Sequence, residues 1–254
     1  MRRQATMMSS GNTELGSKPR RIREMFASIV PRYDMVNSFM TMGLDHRWRR
    51  ETVAAVTPKG GLALDIATGT GELAFELVRQ GARVVIAADF CPEMLLAAAK
   101  KPAFVGFKDR IRLMAGDTQA LPFADDTFDC VVNGFMLRNV ADLPATFTEL
   151  CRVLKPGGRL ACLDLTPPRG PMRHFFGAYI AVFVPLLGVT VARNYSAYRY
   201  LFQSLSIHPD ADQIRAMMCA AGFEAEYRLT GFGTVAIHLG RKPQNGTCSQ
   251  SNTL

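Results

Sequence analysis

Three aspartates stand where strands are expected to end, and together they outline a site for one ligand. Asp65 lies four residues ahead of Gly69, in Leu64-Asp65-Ile66-Ala67-Thr68-Gly69-Thr70-Gly71-Glu72-Leu73-Ala74, which reads as a buried strand running through a glycine turn into a helix. Glycines at 69 and 71 let a backbone approach a ligand closely. A carboxylate before them suits an ammonium and would repel a pyrophosphate. Asp89 closes the next strand eighteen residues after Gly71, where an acidic side chain can accept hydrogen bonds from ribose hydroxyls. Asp117 and Thr118 follow the third strand and could pair with the amine of adenine, with Phe90 and Met94 as apolar walls. Ala67, Asn133 and Gly134, at the ends of the first and fourth strands, complete the expected set. The chemistry implied is binding of an adenosyl cofactor with a cationic tail. The glycines alone also fit a relaxed dinucleotide fingerprint, so an NAD-dependent oxidoreductase is the rival reading.

The elements that must position these residues alternate. Strands are expected at Leu62–Ala67, Val84–Asp89, Ile111–Ala115, Phe128–Gly134 and Arg159–Leu165. Helices are expected between them at Leu73–Gln80, Pro92–Lys101 and Leu143–Leu154. This order predicts an α/β, doubly wound, mostly parallel sheet. A helix over Asp210–Ala221 and strands at Phe223–Leu229 and Val235–Gly240 predict a closing antiparallel hairpin. Apolar residues at helical spacing (Met25, Ile29, Val36, Phe39, Met40) predict a helical cap over 21–58. The expected organisation is one domain over 21–243: that cap, a cofactor-binding core at 59–169, an apolar lid at 170–208 and the final helix and hairpin at 209–243. Flanking tails at 1–20 and 244–254 are expected to be disordered.

Composition bounds the function. The 254 residues, 48% of them hydrophobic, can bury a full core. Six scattered cysteines without a C-x-x-C pair read as reduced thiols of a cytoplasmic protein. Four separated histidines give no zinc spacing, so no metal is expected. The N-terminus lacks the apolar run of a signal peptide. The net charge of +8 concentrates in Lys18-Pro19-Arg20-Arg21-Ile22-Arg23 and in Arg47, Arg49 and Arg50. Without interleaved aromatics these clusters favour anionic headgroups over nucleic acid. The uncharged run Phe175–Ala192 has the minimum length of a span, but Gly177, Pro185 and Gly188 interrupt it. A lid that shields an apolar substrate or touches a bilayer surface is the expectation, with core packing the plainer alternative.

The chain resembles the class I S-adenosylmethionine-dependent methyltransferases, and within them the ubiquinone/menaquinone biosynthesis C-methyltransferase family. Tyr33-Asp34-Met35-Val36-Asn37, followed by Met40, Gly43 and Trp48, resembles the first signature of that family. Arg152-Val153-Leu154-Lys155-Pro156-Gly157-Gly158-Arg159 resembles the second. Leu121-Pro122-Phe123, Asp129, Leu137-Arg138-Asn139-Val140, Tyr198-Arg199-Tyr200-Leu201 and Ser204 also match. The resemblance covers roughly Met25 to Lys242. Asp45 stands where the signature usually carries His, with His46 the next residue. Asp164-Leu165-Thr166-Pro167-Pro168 replaces the usual segment after the second signature.

The resemblance implies C-methylation of a polyprenylated quinol by S-adenosyl-L-methionine, demethylmenaquinol first and a polyprenyl benzoquinol as the alternative. A phenol with pKa near 10 must be ionised or stabilised before its ortho carbon attacks. Arg138 is expected to stabilise the phenolate and Asn139 to orient it. Tyr33, Asp34 and Asn37 would close over the ring. Asp34, its pKa raised by burial, is the favoured base and His46 the second choice. Phe175, Phe176, Tyr179, Phe183, Leu186 and Leu187 would take the prenyl tail. The protein is then expected in the cytoplasm, peripherally associated with the membrane. Its oligomeric state stays open, a homodimer included. A non-catalytic isoprenoid-binding protein is a third reading.

Overall fold

Seven strands form one sheet in the order β3-β2-β1-β4-β5-β7-β6, parallel except for β7. The computed structural model describes residues 22–116, 120–168, 170, 177, 204 and 208–244. The strands are β1 (Leu62–Ile66), β2 (Val84–Asp89), β3 (Ile111–Ala115), β4 (Phe128–Gly134), β5 (Leu154–Leu165), β6 (Glu224–Thr230) and β7 (Val235–Arg241). The helices are α1 (22–29), α2 (Tyr33–Met40), α3 (Leu44–Val56), α4 (Glu72–Arg79), α5 (Pro92–Ala99), α6 (Pro102–Phe107), α7 (Leu143–Val153) and α8 (Ala211–Ala220).

The central strands are buried on both faces, which is why they read as continuous apolar runs. One face packs Leu64, Ile66, Val131 and Leu160 against Phe147 and Leu150 of α7 and Ile214 and Met218 of α8. The other packs Ala63, Val85 and Val132 against Phe75 and Leu77 of α4 and Val53 and Val56 of α3. α3 therefore belongs to the layer that covers the sheet, and only α1 and α2 remain of the helical cap expected over 21–58. The helix expected through Lys101 ends at Ala99, and a separate helix begins at Pro102. A proline lacks the N–H that continued winding needs, yet suits a first turn. β7 lies between β5 and β6, so the expected hairpin closes the sheet with its second strand inside.

β5 starts five residues earlier than expected. Leu154 pairs with Phe128, and the register then shifts so that Cys130 pairs with Arg159. The Lys155-Pro156-Gly157-Gly158 turn is thus folded into the strand. A Cβ on Gly158 would stand 2.7 Å from the Lys155 carbonyl oxygen and 3.2 Å from that of Asp129. Neither backbone oxygen can yield cheaply, so Gly158→Ala is expected to cost about 2 kcal/mol or more. Urea unfolding checks this, and an unchanged midpoint would contradict it. Lys242 pins the same corner from within: its buried Nζ donates to Asp126 Oδ1 at 2.7 Å and to the Cys151 and Leu154 carbonyls at 2.9 and 2.8 Å.

Cys91, Cys130, Cys162 and Cys219 are free thiols. Cys151 is disulfide-bonded, against the expectation of reduced thiols throughout, because spacing along the chain says nothing of cysteines brought together by folding. No helix among the described residues is long and apolar enough to cross a membrane. The lid expected at 170–208, with Phe175 to Leu187 and the Tyr198–Leu201 element, lies outside the described residues apart from Gly170, Gly177, Ser204 and His208. So do Asp117, Thr118 and the basic stretch Lys18–Arg21.

Candidate active site

The turn after β1 is built from unusual backbone. Ala67, Gly69 and Gly71 have φ of 56°, 56° and 86°, and a Cβ on Gly71 would stand 2.9 Å from the Phe75 ring. Only the absence of a side chain lets Gly71 meet that ring. Left-handed geometry in Ala67, which has a Cβ, is strain of the kind that collects at ligand sites.

Asp65 sits under this turn with no solvent exposure. The Thr68 hydroxyl donates to its Oδ2 at 2.5 Å, while Oδ1 has no hydrogen-bond partner. Burial pushes its carboxyl up to about 7. An unpaired buried carboxylate oxygen is costly, and a cationic ligand would relieve that cost. Asp89 bridges two turns: Oδ2 accepts from the Gly69 N–H at 2.7 Å and Oδ1 from that of Cys91 at 2.8 Å. Burial raises its pKa as well. Each carboxylate oxygen can accept more than one bond, so Asp89 keeps capacity for a hydroxyl. Met94 is buried on α5. Gly134 faces α4 instead, where a Cβ would stand 3.0 Å from Leu73 Cδ1. Asn133 is buried, donating to Cys162 Sγ at 3.0 Å and leaving its Oδ1 unpaired.

α1 and α2 close over this turn. The Tyr33 ring lies over Gly69, whose ideal Cβ would be 3.8 Å from Tyr33 Cε1. Phe26 packs edge-on against both Tyr33 and Phe90, each at 6.3 Å between centroids. Asp34 accepts from the Thr70 hydroxyl at 2.5 Å and pairs with Lys101 at 2.6 Å, and Lys101 also reaches Glu72 at 2.7 Å. The burial expected of Asp34 is not found: its side chain is 43% exposed and ion-paired. The cap straps Asp34 to the glycine turn.

Beyond Tyr33, Phe135 follows the end of β4, and its φ of 57° is again left-handed. The Arg138 guanidinium lies 5.7 Å from the Phe135 ring centroid and pairs with Asp164 at 2.9 Å. Asp164 is fully buried and also accepts from the Leu137 and Leu165 N–H groups. Asn139 donates to the Phe135 carbonyl at 3.1 Å. Burial raises the Tyr33 phenol, opposed by the charges of Arg138 and Arg49 and by a hydrogen bond with Asn37. Tyr33 and Asn37 thus lie near Arg138, beside the turn after β1, while Asn139 is turned to the Phe135 carbonyl.

His46 does not join them. It lies on the exposed face of α3, 3.4 Å from the Ser38 hydroxyl. Adjacent helix positions point about 100° apart, so the inward residue is Asp45. His46→Ala is expected to leave catalytic activity within about twofold of wild type; a larger loss of kcat would return His46 to the site. Asp45 and Arg49 were not singled out as a pair. The signal was their i, i+4 spacing on a helix. His208 and His238, which face Asp164, were also missed, and burial lowers both, His238 to about 4. No group of three metal-ligating side chains occurs among the described residues.

The ubiE/COQ5 methyltransferase family profile matches residues 14–242. A demethylmenaquinone methyltransferase of Thermus thermophilus is 43% identical over 223 residues, covering 86% of this chain and 100% of that protein. A ubiquinone/menaquinone biosynthesis C-methyltransferase UbiE of Geobacter sulfurreducens is 36% identical over 233 residues, covering 90% and 91%. Among solved structures, a SAM-dependent methyltransferase from Thermotoga maritima aligns with TM-score 0.62 at 17% identity, over 86% of this chain and 98% of that one. That likeness shares the fold found here.

Proposed function

Because the chain belongs to the ubiE/COQ5 methyltransferase family, we propose that it methylates a ring carbon of a polyprenylated quinol with S-adenosyl-L-methionine, demethylmenaquinol being the first substrate. The oxidoreductase reading falls with the family assignment. The observation that carries the proposal is the placement of Arg138 beside Phe135 and Tyr33, across from the turn that buries Asp65. It sets a cationic pocket for an oxyanion next to an anionic pocket for an ammonium.

The residues fit the cofactor. Asp65 Oδ1, buried and unpaired, suits the ammonium of the amino-acid end. Asp89 suits the ribose, and Phe90 and Met94 the adenine. When bound, S-adenosylmethionine supplies an electrophilic methyl group. The protein's task is to make the quinol carbon nucleophilic. Arg138 does so by stabilising the neighbouring oxygen as phenolate, with its orientation held by Asp164. Tyr33 and Asn37 form the lid of the ring pocket and exclude water. Asp34 holds the lid shut through Thr70 and Lys101, a role we assign in place of proton transfer.

A prenyl tail partitions into a bilayer, so we place the protein at the membrane surface, held by basic residues at about 1 kcal/mol for each well-placed one. Sedimentation with anionic and neutral vesicles tests that placement. The reaction itself is tested by transfer of a labelled methyl group to reduced demethylmenaquinone and, in parallel, to the methoxy-benzoquinol. The UbiE relative carries both pathways in its name, so activity on the second would broaden the substrate range. Donor binding with transfer to neither quinol would sink the proposal and favour an isoprenoid-binding role.

A further inference from the structure

Arg49 is half-buried beside the same Phe135 ring. Its side chain is 11% exposed, and its Nη1 donates to Asp45, which is itself 2% exposed. The Thr41 hydroxyl holds the other oxygen of Asp45 at 3.0 Å. The Arg49 guanidinium stands 5.9 Å from the Phe135 centroid, so one ring carries two guanidiniums, the other being Arg138 at 5.7 Å. Asp45 takes a single one of the five N–H groups that arginine offers. Among the described residues, the titratable groups that face Arg49 are Asp45 on its own helix, Tyr33 from α2 and Asp65 from β1. Facing Tyr33 are Arg49, Arg138, Asn37 and Asp89.

Two guanidiniums at one aromatic ring, each paired on one side with a buried carboxylate, still present donors that can stabilise an anion arriving beside that ring. Asp45 and Asp164 each pair with one of the two guanidiniums. The strained backbone of Phe135 is what carries its ring to that position.

We propose that Arg49 is a second oxyanion-stabilising residue, acting with Arg138 on the ring oxygen of an aromatic substrate, and that Asp45 is the positioning residue that aims it. This rests on the quinol reading above. Proton loss from the quinol hydroxyl to water leaves the charge on oxygen and, by delocalisation, on the ortho carbon; that carbon forms the new C–C bond as the donor's methyl–sulfur bond breaks with its electron pair left on sulfur, and the carbon's own proton then leaves to water. Two guanidiniums lower the cost of that charge more than one.

The test uses the full chain and 1-naphthol, whose absorbance distinguishes naphthol from naphtholate. On the wild type, bound 1-naphthol is expected to ionise at lower pH than in water, and Arg49→Met to move the midpoint back up by about one unit. Arg49→Lys, which keeps the charge, should retain most of the wild-type midpoint. Asp45→Asn should fall between Arg49→Met and wild type. In the methyl assay, Arg49→Met should lose about a hundredfold in kcat at pH 7, a loss that narrows as pH rises and the quinol ionises unaided. Its donor Kd should be unchanged or tighter, since a cation near Asp65 has gone. A midpoint equal to wild type in Arg49→Met would overturn the inference, as would a kcat loss of the same factor at every pH. If Arg49→Met does not fold, a midpoint shifted fully upward in Arg49→Lys has the same force. Should the wild type methylate no quinol, the functional reading fails, while the naphthol midpoints still decide the role of Arg49.

Discussion

Asp65→Asn is expected to abolish useful binding of S-adenosylmethionine and, at pH 8, to raise the melting temperature of the ligand-free protein. The carboxyl is fully buried with one oxygen unpaired, and desolvation pushes it up to about 7. In an unfolded chain it would titrate near 3.9. The folded state therefore holds this proton more tightly than the unfolded state. The contribution of Asp65 to stability is fully present below about pH 4 and is lost as pH rises through about 7. Asparagine is never ionised and avoids that loss, which is worth several degrees in Tm for a chain of this size. An ammonium ligand needs the ionised form. Donor binding should then release a proton near pH 6 and weaken about tenfold for each unit of acidification below 7. Removing one member of a buried charged pair costs about 2–5 kcal/mol, about thirtyfold to several thousandfold in Kd. Calorimetry in two buffers of different ionisation heat reads the affinity and the proton together, and differential scanning reads Tm. A wild-type Kd in Asp65→Asn, or a lower Tm at pH 8, would remove Asp65 from the cofactor site.

Arg138→Met should cost about a hundred- to a thousandfold in kcat with little change in donor Kd. The magnitude is that of removing one donor from a preorganised oxyanion site. The variant also strips Asp164, which has no solvent exposure, of the one cation it pairs with among the described residues. Breaking a buried pair from one side costs about 3–5 kcal/mol, and here the Leu137 and Leu165 N–H groups soften that. Lost stability and lost catalysis would then be confounded. Arg138→Met combined with Asp164→Asn separates them: it should regain much of the Tm while its kcat stays low. If the double variant regains both, Arg138 serves the fold and not the reaction.

The half of the candidate site proposed for the cofactor was legible because it is nearly contiguous. Asp65, Gly69 and Gly71 share one strand-turn-helix unit, and Asp89 ends the strand that pairs with it, so periodicity and glycine spacing were enough to place them. The quinol half was legible in its parts and not in its assembly. Tyr33 and Arg138 were named from the sequence, yet the ring of Phe135 that carries two guanidiniums, the Asp164 behind Arg138 and the Asp45 behind Arg49 come from elements 26 to 119 residues apart. Asp34 shows the same gap from the other side: its burial was expected, and Lys101, far along the chain, holds it at the surface instead.

The chain order of apolar runs, turns and aspartates determined the parallel sheet and the charge of each strand end, because those properties are local to a strand and the turn after it. Which face of α3 points inward, and so whether Asp45 or His46 reaches the pocket, was decided by packing. Trp48, Thr52, Val53 and Val56 are buried on α3, and once they dock on the sheet the helix has a single rotation open to it. That rotation carries Asp45 and Arg49 in with them and leaves His46 outside.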